Sequence, residues 1–214
     1  MRKILCSLLI ALSTFATTSA VAADLDVTAL NRYIYRGKPV DDAIAVQSSL
    51  TIPLADNNLG STSFGIWNHL PIAGDFSEID FSLTQELGEI GSLSVVSQFY
   101  DGTLLDIDSH DIEVGLSTNF AGVGISLNRI VKSATIEGDT YVELGYGLGD
   151  YDLFVGVGDG AYAESGDFAP VNVGFTYSPK GGEDRRRGWM SRYTASFIYN
   201  PDTEKPYLVV SKNW

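Results

Sequence analysis

From Leu25 to the end of the chain, apolar and polar side chains alternate with a period of two, and turn-forming clusters interrupt the alternation at short, regular intervals. Successive side chains on a strand point to opposite faces, so this pattern dictates strands with one apolar and one polar face. No long stretch keeps the 3.6-residue period of a helix, and the chain is expected to be all-β. The clearest segment sets Ile79, Phe81, Leu83 and Leu87 against Glu78, Asp80, Ser82, Thr84 and Glu86. The first segment reads as one strand running from Leu25 to Arg36, with Tyr33 and Tyr35 on its apolar side and Arg32 and Arg36 on its polar side, broken at Gly37-Lys38-Pro39. About twelve such segments emerge, or ten if the weakest are loops. An even count puts both chain ends on the same side of an antiparallel sheet.

Residues 1–22 stand apart from this rhythm. Arg2 and Lys3 precede the apolar run Ile4 to Leu12, and a small-residue tail follows, with Ala20 and Ala22 where a signal peptidase reads small side chains. This is the pattern of a cleaved secretory signal, cut after Ala22 or, as the alternative, after Ala23. The apolar run falls short of the roughly 20 residues a membrane-spanning helix needs. Cys6 is the only cysteine and lies within the signal, so disulfides and thiol chemistry are not expected of residues 23–214. The formal charge of the whole chain is -13, and losing Arg2 and Lys3 makes the balance two units more negative. Such a surface repels nucleic acid. Residues 23–214 read as one domain.

Alternation alone does not say whether the apolar faces point inward, as in a soluble barrel or sandwich, or outward. Carboxylates at mid-strand (Asp80, Glu86, Glu113, Glu143), aromatics near strand ends (Tyr35, Phe99, Phe120, Tyr177, Tyr199) and a final strand ending in Trp214 favour the outward arrangement. That arrangement is an antiparallel transmembrane β-barrel, which closes its sheet so that every backbone group is paired in lipid. Loop lengths agree: tight turns at Gly88 to Gly91, Asn119 to Gly122 and Gly149-Asp150 alternate with longer connections such as Asp101 to Ser109, Val131 to Asp139 and Asp159 to Phe168. Both termini would then be periplasmic and the protein would sit in the outer membrane of a Gram-negative cell. The segment Pro179 to Gly188, with Arg185, Arg186 and Arg187, breaks the rule as a long turn on the short-turn side. Leu208, Val210 and Trp214 share one face of the last strand and are similar to the C-terminal signal read by the barrel assembly machinery.

Tyr33-Ile34-Tyr35-Arg36-Gly37, followed by Ala45-Val46-Gln47, resembles the TorF-like porin family of proteobacterial outer-membrane proteins, whose first strand ends in a Tyr-x-x-Arg-Gly motif. Gly65-Ile66-Trp67-Asn68, Glu78-Ile79-Asp80, Tyr141-Val142-Glu143 and the closing Val209-Val210-Ser211-Lys212-Asn213-Trp214 resemble further segments of that family. The resemblance implies a barrel that conducts solutes, makes Lys212 a family feature, and carries over no catalytic residue.

If apolar faces meet lipid and lipopolysaccharide, the polar faces line a lumen that holds Arg32, Arg36 and Arg192 against Glu78, Asp80, Asp111, Glu113 and Glu143, with Asp26, Glu86 and Asp152 besides. The acids concentrate on the fourth to eighth segments and the arginines on the first and eleventh, so a transverse field across a solute pathway is expected. The competing expectation is that these charges pair and plug the lumen, leaving a structural or adhesive barrel that acts through its external loops. A third is an outer-leaflet lipid-modifying enzyme using His69 or His110. Ser109 and Asp111 share a face that His110 does not, which is poor geometry for a triad, and the chain is read as a non-enzyme. The acidic run Asp101 to Asp108 lacks the ordered ligand spacing of a calcium loop, so no metal or cofactor is expected. Small solutes are the expected partners, and the sequence leaves the oligomeric state open.

Overall fold

The computed structural model describes residues 23–100, 104, 106–133, 138–179 and 193–214. The segment read as a signal, the arginine run at 185–187 and Arg192 lie outside the described residues.

Twelve strands form a closed antiparallel barrel. They are β1 (Asp24–Leu30), β4 (Ala45–Asn57), β5 (Gly60–Pro71), β6 (Glu78–Glu86), β7 (Ser92–Phe99), β8 (His110–Phe120), β9 (Val123–Lys132), β10 (Thr140–Leu148), β11 (Tyr151–Gly158), β12 (Ala169–Tyr177), β13 (Tyr193–Asn200) and β14 (Lys205–Asn213). Each pairs with its sequence neighbours, and β1 closes the cylinder by pairing with both β4 and β14. The closing seam is short: it pairs only Thr28 with Asn213, Ala29 with Lys212 and Leu30 with Ser211. One backbone bond at each side extends it, from Asn31 N–H to the Val210 carbonyl and from Trp214 N–H to the Val27 carbonyl.

The strand expected to run from Leu25 to Arg36 ends instead at Leu30. Asn31 explains the break. Its side-chain amide donates to the Leu208 carbonyl, and its side-chain oxygen accepts from Val210 N–H at 2.8 Å, so it occupies the β14 edge where the next residues of β1 would have paired. The freed chain folds back on itself as a separate hairpin, β2 (Tyr33–Tyr35) and β3 (Lys38–Asp41), before β4 rejoins the wall. β4 continues to Asn57, because a bulge between Pro53 and Ala55 absorbs Leu54 and a proline that cannot donate to the ladder.

The alternation resolves with apolar side chains outward. Leu83 (49% exposed), Leu93, Val95, Leu116, Leu144, Leu153, Phe197, Leu208 and Val210 lie on the outer surface, whereas Glu113 (3% exposed), Glu78, Gln98, Asn172 and Asn200 are buried inside. A soluble barrel places these two sets the other way round, because burying apolar area stabilises by about 25 cal/mol per Å² and burying unpaired charge is costly.

One rim carries the start of β1, the end of β14 and the tight turns; the other carries the hairpin and most of the longer loops. Two exceptions break the loop alternation. The 201–204 turn on the loop-bearing rim is short, and at the other rim β12 and β13 are separated by residues 178–192, of which 180–192 lie outside the described residues. The buried apolar clusters gather at the loop-bearing end. Leu30, Tyr33 and Ala45 pack with Val40, Trp67 and Phe76, and Tyr141, Tyr162 and Val171 pack with Tyr35.

Candidate functional site

The hairpin turns inside the barrel on a two-residue tip, Arg36 and Gly37, with φ of 50° and 83°. Positive φ at both positions is the geometry that matches the twist of a tight hairpin. Gly37 is required there twice over: a Cβ would also fall 1.9 Å from the Val171 carbonyl oxygen on β12. Arg36 is a non-glycine residue in the left-handed region, a conformation that persists only where its surroundings over-determine it. They do so here. Asn200 at the end of β13 donates its amide to the Gly37 carbonyl at 3.1 Å, and Lys38 donates to the Ala161 carbonyl.

The Arg36 guanidinium reaches across to Glu113 on β8 and binds it in a two-pronged fork, with Nη2 to Oε1 at 2.8 Å and Nη1 to Oε2. Nη1 also donates to the Tyr162 hydroxyl at 2.6 Å, and that hydroxyl donates to Glu113 at 3.1 Å. The cation sits 4.6 Å from the ring centre of Tyr35, 4.8 Å from Tyr141 and 5.2 Å from Tyr162. An aromatic cage and a bidentate carboxylate together satisfy a charge that burial would otherwise penalise. Burial opposes the charged guanidinium, yet the Glu113 bond wins and raises its pKa, so Arg36 stays protonated. Burial pushes the Tyr162 phenol well up, which keeps it a neutral donor.

Two further networks brace the hairpin. His69, fully buried, joins Asp41 of β3 through Nε2 at 3.0 Å to Gln47 of β4 through Nδ1 at 3.2 Å, with Tyr33 stacked on its ring at 4.9 Å. Burial pushes the Asp41 carboxyl up, but the bonds from His69 and from the Ala43 N–H outweigh it and hold the carboxyl below its usual range. On the other flank Tyr141 donates to Glu143, and Asn172 donates to Tyr141 at 2.9 Å and to Glu143 at 3.0 Å.

No protein-family model and no curated protein matches the chain. The site therefore rests on its own geometry.

Of the residues singled out from sequence, Arg36, Glu113 and Glu143 belong to this connected cluster. Glu78 is buried beside Asp80 on β6, and Asp111 lies half-buried on β8. Arg32 stays at the base of the hairpin, 3.5 Å from the exposed Asp42, and does not join Arg36. The opposed walls of acids and arginines do not form from the described residues: because residues 33–41 leave the wall, Arg36 crosses the lumen and touches Glu113 directly. Arg192 lies outside the described residues. Leu208, Val210 and Trp214 are exposed on the outer face of β14, and Lys212 between them lies 4.6 Å from the Trp214 ring and 5.5 Å from that of Tyr193. His110 pairs with neither Ser109 nor Asp111; its nitrogens meet Ser97 Oγ at 2.7 Å and the Leu104 carbonyl at 3.0 Å.

Sequence reasoning missed Asn31, Tyr162, Asn172 and Asn200. The Arg36-Gly37 pair carried a usable signal, since a glycine at the second central position suits the positive φ of a two-residue hairpin turn.

Proposed function

We propose that the chain is an outer-membrane β-barrel of a Gram-negative cell that passes small solutes through a charged lumen, as a passive, non-enzymatic conduit. The observation that carries this reading is the inversion of the two faces on a closed sheet. A cylinder with no free edge and an apolar outer band satisfies its backbone internally and presents hydrocarbon to hydrocarbon. Aromatics on the outer face, Lys212 held between Tyr193 and Trp214 near one rim, and the resemblance to the TorF-like porin family support it. In this reading the barrel's surroundings are lipid and lipopolysaccharide, its last strand is the handle for the assembly machinery, and a leader that is later removed exports it.

The Arg36–Glu113 cluster is the narrow point of the pathway, where a solute meets a fixed guanidinium, a carboxylate and three phenols. A second reading is favoured by the same cluster: a hairpin packed into the lumen closes it, and the barrel acts through its loops. Planar bilayers separate the two. Wild-type protein is expected to give ohmic current steps whose ion selectivity shifts in Glu113→Gln. A silent wild type that begins to conduct only when the hairpin is removed supports the closed barrel. Membrane residence is checked independently by gel mobility, where a folded barrel in detergent migrates differently from a boiled one; identical migration would argue against it.

A further inference from the structure

Beside the hairpin, on the acid-bearing wall, lies a cavity of about 240 Å³ lined by Ser49, Thr51, Gly65, Trp67, Asp80 and Ser82. Liquid water takes about 30 Å³ per molecule, so the space matches roughly eight waters, the size of a small organic solute. Its lining combines three hydroxyls, one indole and one carboxylate with the aliphatic residues Leu50, Ile66 and Val96. Gly65 keeps the floor open: a Cβ there would fall 2.3 Å from Ser82 Oγ.

Asp80 is the informative residue. One of its carboxylate oxygens is shut off from solvent with no hydrogen-bond partner among the described residues, and the same holds for one oxygen of its neighbour Glu78. The nearby guanidinium does not help, since Arg36 is committed to Glu113 and Tyr162. A half-satisfied carboxylate in a protein interior is costly, and an amide of the same shape avoids that cost. Asp80 lines the cavity and stands directly opposite Trp67 in the β5–β6 ladder, so carboxylate and indole are neighbours on one wall. A hard metal ion does not suit the lining, because no group of three metal-ligating side chains occurs among the described residues and the indole offers it nothing. A weakly hydrated organic cation suits both walls, being drawn to the carboxylate and to an aromatic ring.

We propose that this cavity is a binding site for small organic ammonium ions, held by the Asp80 carboxylate against Trp67. The inference rests on the solute-passage reading for its physiological sense, since such a site would load cations beside the narrow point, but binding itself needs no open pathway.

The test uses the folded full-length barrel in detergent, with tetramethylammonium chloride as the probe and sodium chloride at equal ionic strength as the control. Tetramethylammonium is expected to raise the thermal unfolding midpoint and to change tryptophan emission in a saturable manner. Asp80→Asn is expected to weaken that response at least tenfold while unfolding no earlier than wild type, because it removes a poorly compensated charge. Trp67→Phe is expected to weaken it less. Gel mobility of each variant verifies folding. Equal responses in wild type and Asp80→Asn, a response to sodium acetate as strong as to tetramethylammonium, or no saturable response in wild type would each overturn the proposal. Binding without bilayer conductance would leave this site standing and remove the pore; conductance without binding would do the reverse.

Discussion

The two ends of the barrel interior are built on opposite principles. At the loop-bearing end the lumen is crowded with Tyr33, Tyr35, Tyr141 and Tyr162, a buried ion pair and a buried histidine, every one tied to a partner on another strand. On β6 to β10 the inward positions toward the terminal end are small: Ser82 and Thr84 on β6, Ser94 on β7, Gly115 and Ser117 on β8, Gly124 and Ser126 on β9, Gly145 and Gly147 on β10, with Phe154 of β11 the large inward residue at that level, opposite Gly145. Both ends share the same twelve strands and the same kind of ladder. The difference teaches that closure of the cylinder comes from backbone pairing and outward apolar area, whereas filling is a separate choice, made by one hairpin.

Removing that hairpin is the strongest way to break the contrast. A variant in which residues 32–42 are replaced by a short glycine-serine turn is expected to keep its gel mobility and to raise single-channel conductance several-fold, since both halves of the lumen would then be lined by the wall alone. Unchanged conductance would show that the hairpin is not the narrow point.

The next effect is on stability. Glu113→Ala strands a buried guanidinium and is expected to cost about 3–5 kcal/mol in urea unfolding, whereas the paired replacement of Arg36 and Glu113 by methionine recovers most of the loss. Recovery is the informative result, because it separates the pair's conformational role from its energy. A single-variant cost near zero would mean that the fork is solvated.

A smaller effect comes from acid. The Asp41 carboxyl is held below its ordinary range in the folded barrel, so its contribution is fully present above the usual carboxylate pKa of about 4 and is lost as pH falls through the lower folded value. Titrating downward is expected to loosen β3 from the wall and change the emission of Trp67, whose ring lies 5.6 Å from Tyr33. Asp41→Asn is expected to abolish that transition. If it persists, another group drives it.

The smallest effects belong to the terminal half. Ser94→Ala and Ser117→Ala are each expected to change unfolding by no more than about 0.5 kcal/mol, because neither side chain takes part in the packed cluster. A large change would show that the small-residue half is packed rather than open.

The strand count was legible in the sequence because period-two patterning reports which side of a ladder a residue occupies, and the inversion of faces was legible from the mid-strand carboxylates Asp80, Glu113 and Glu143, which patterning alone does not supply. Nor does patterning report which ladder. Leu25 to Tyr35 keeps its alternation straight through the point where the chain leaves the wall, and Asn31 is the only residue that marks the departure. The site was half legible for the same reason. Arg36 and Glu113 were visible as lumen charges, but their meeting depends on a reversal at Gly37 that alternation does not encode. Tyr162, reached through a 3₁₀ turn at Gly160–Tyr162, carries no periodic signal at all.

The β1–β14 seam, with three paired positions, one backbone bond at either side and the two side-chain bonds of Asn31, has a mechanical meaning. Every other seam is a zipper between consecutive strands and forms locally; this one joins the two ends of the ribbon. The protein is in effect a belt fastened at one buckle, and Asn31, which diverts the chain into the lumen, is also a tooth of that buckle. Under lateral tension the belt would part there before any other seam gave way, so narrowing the tube and fastening it are governed by one residue.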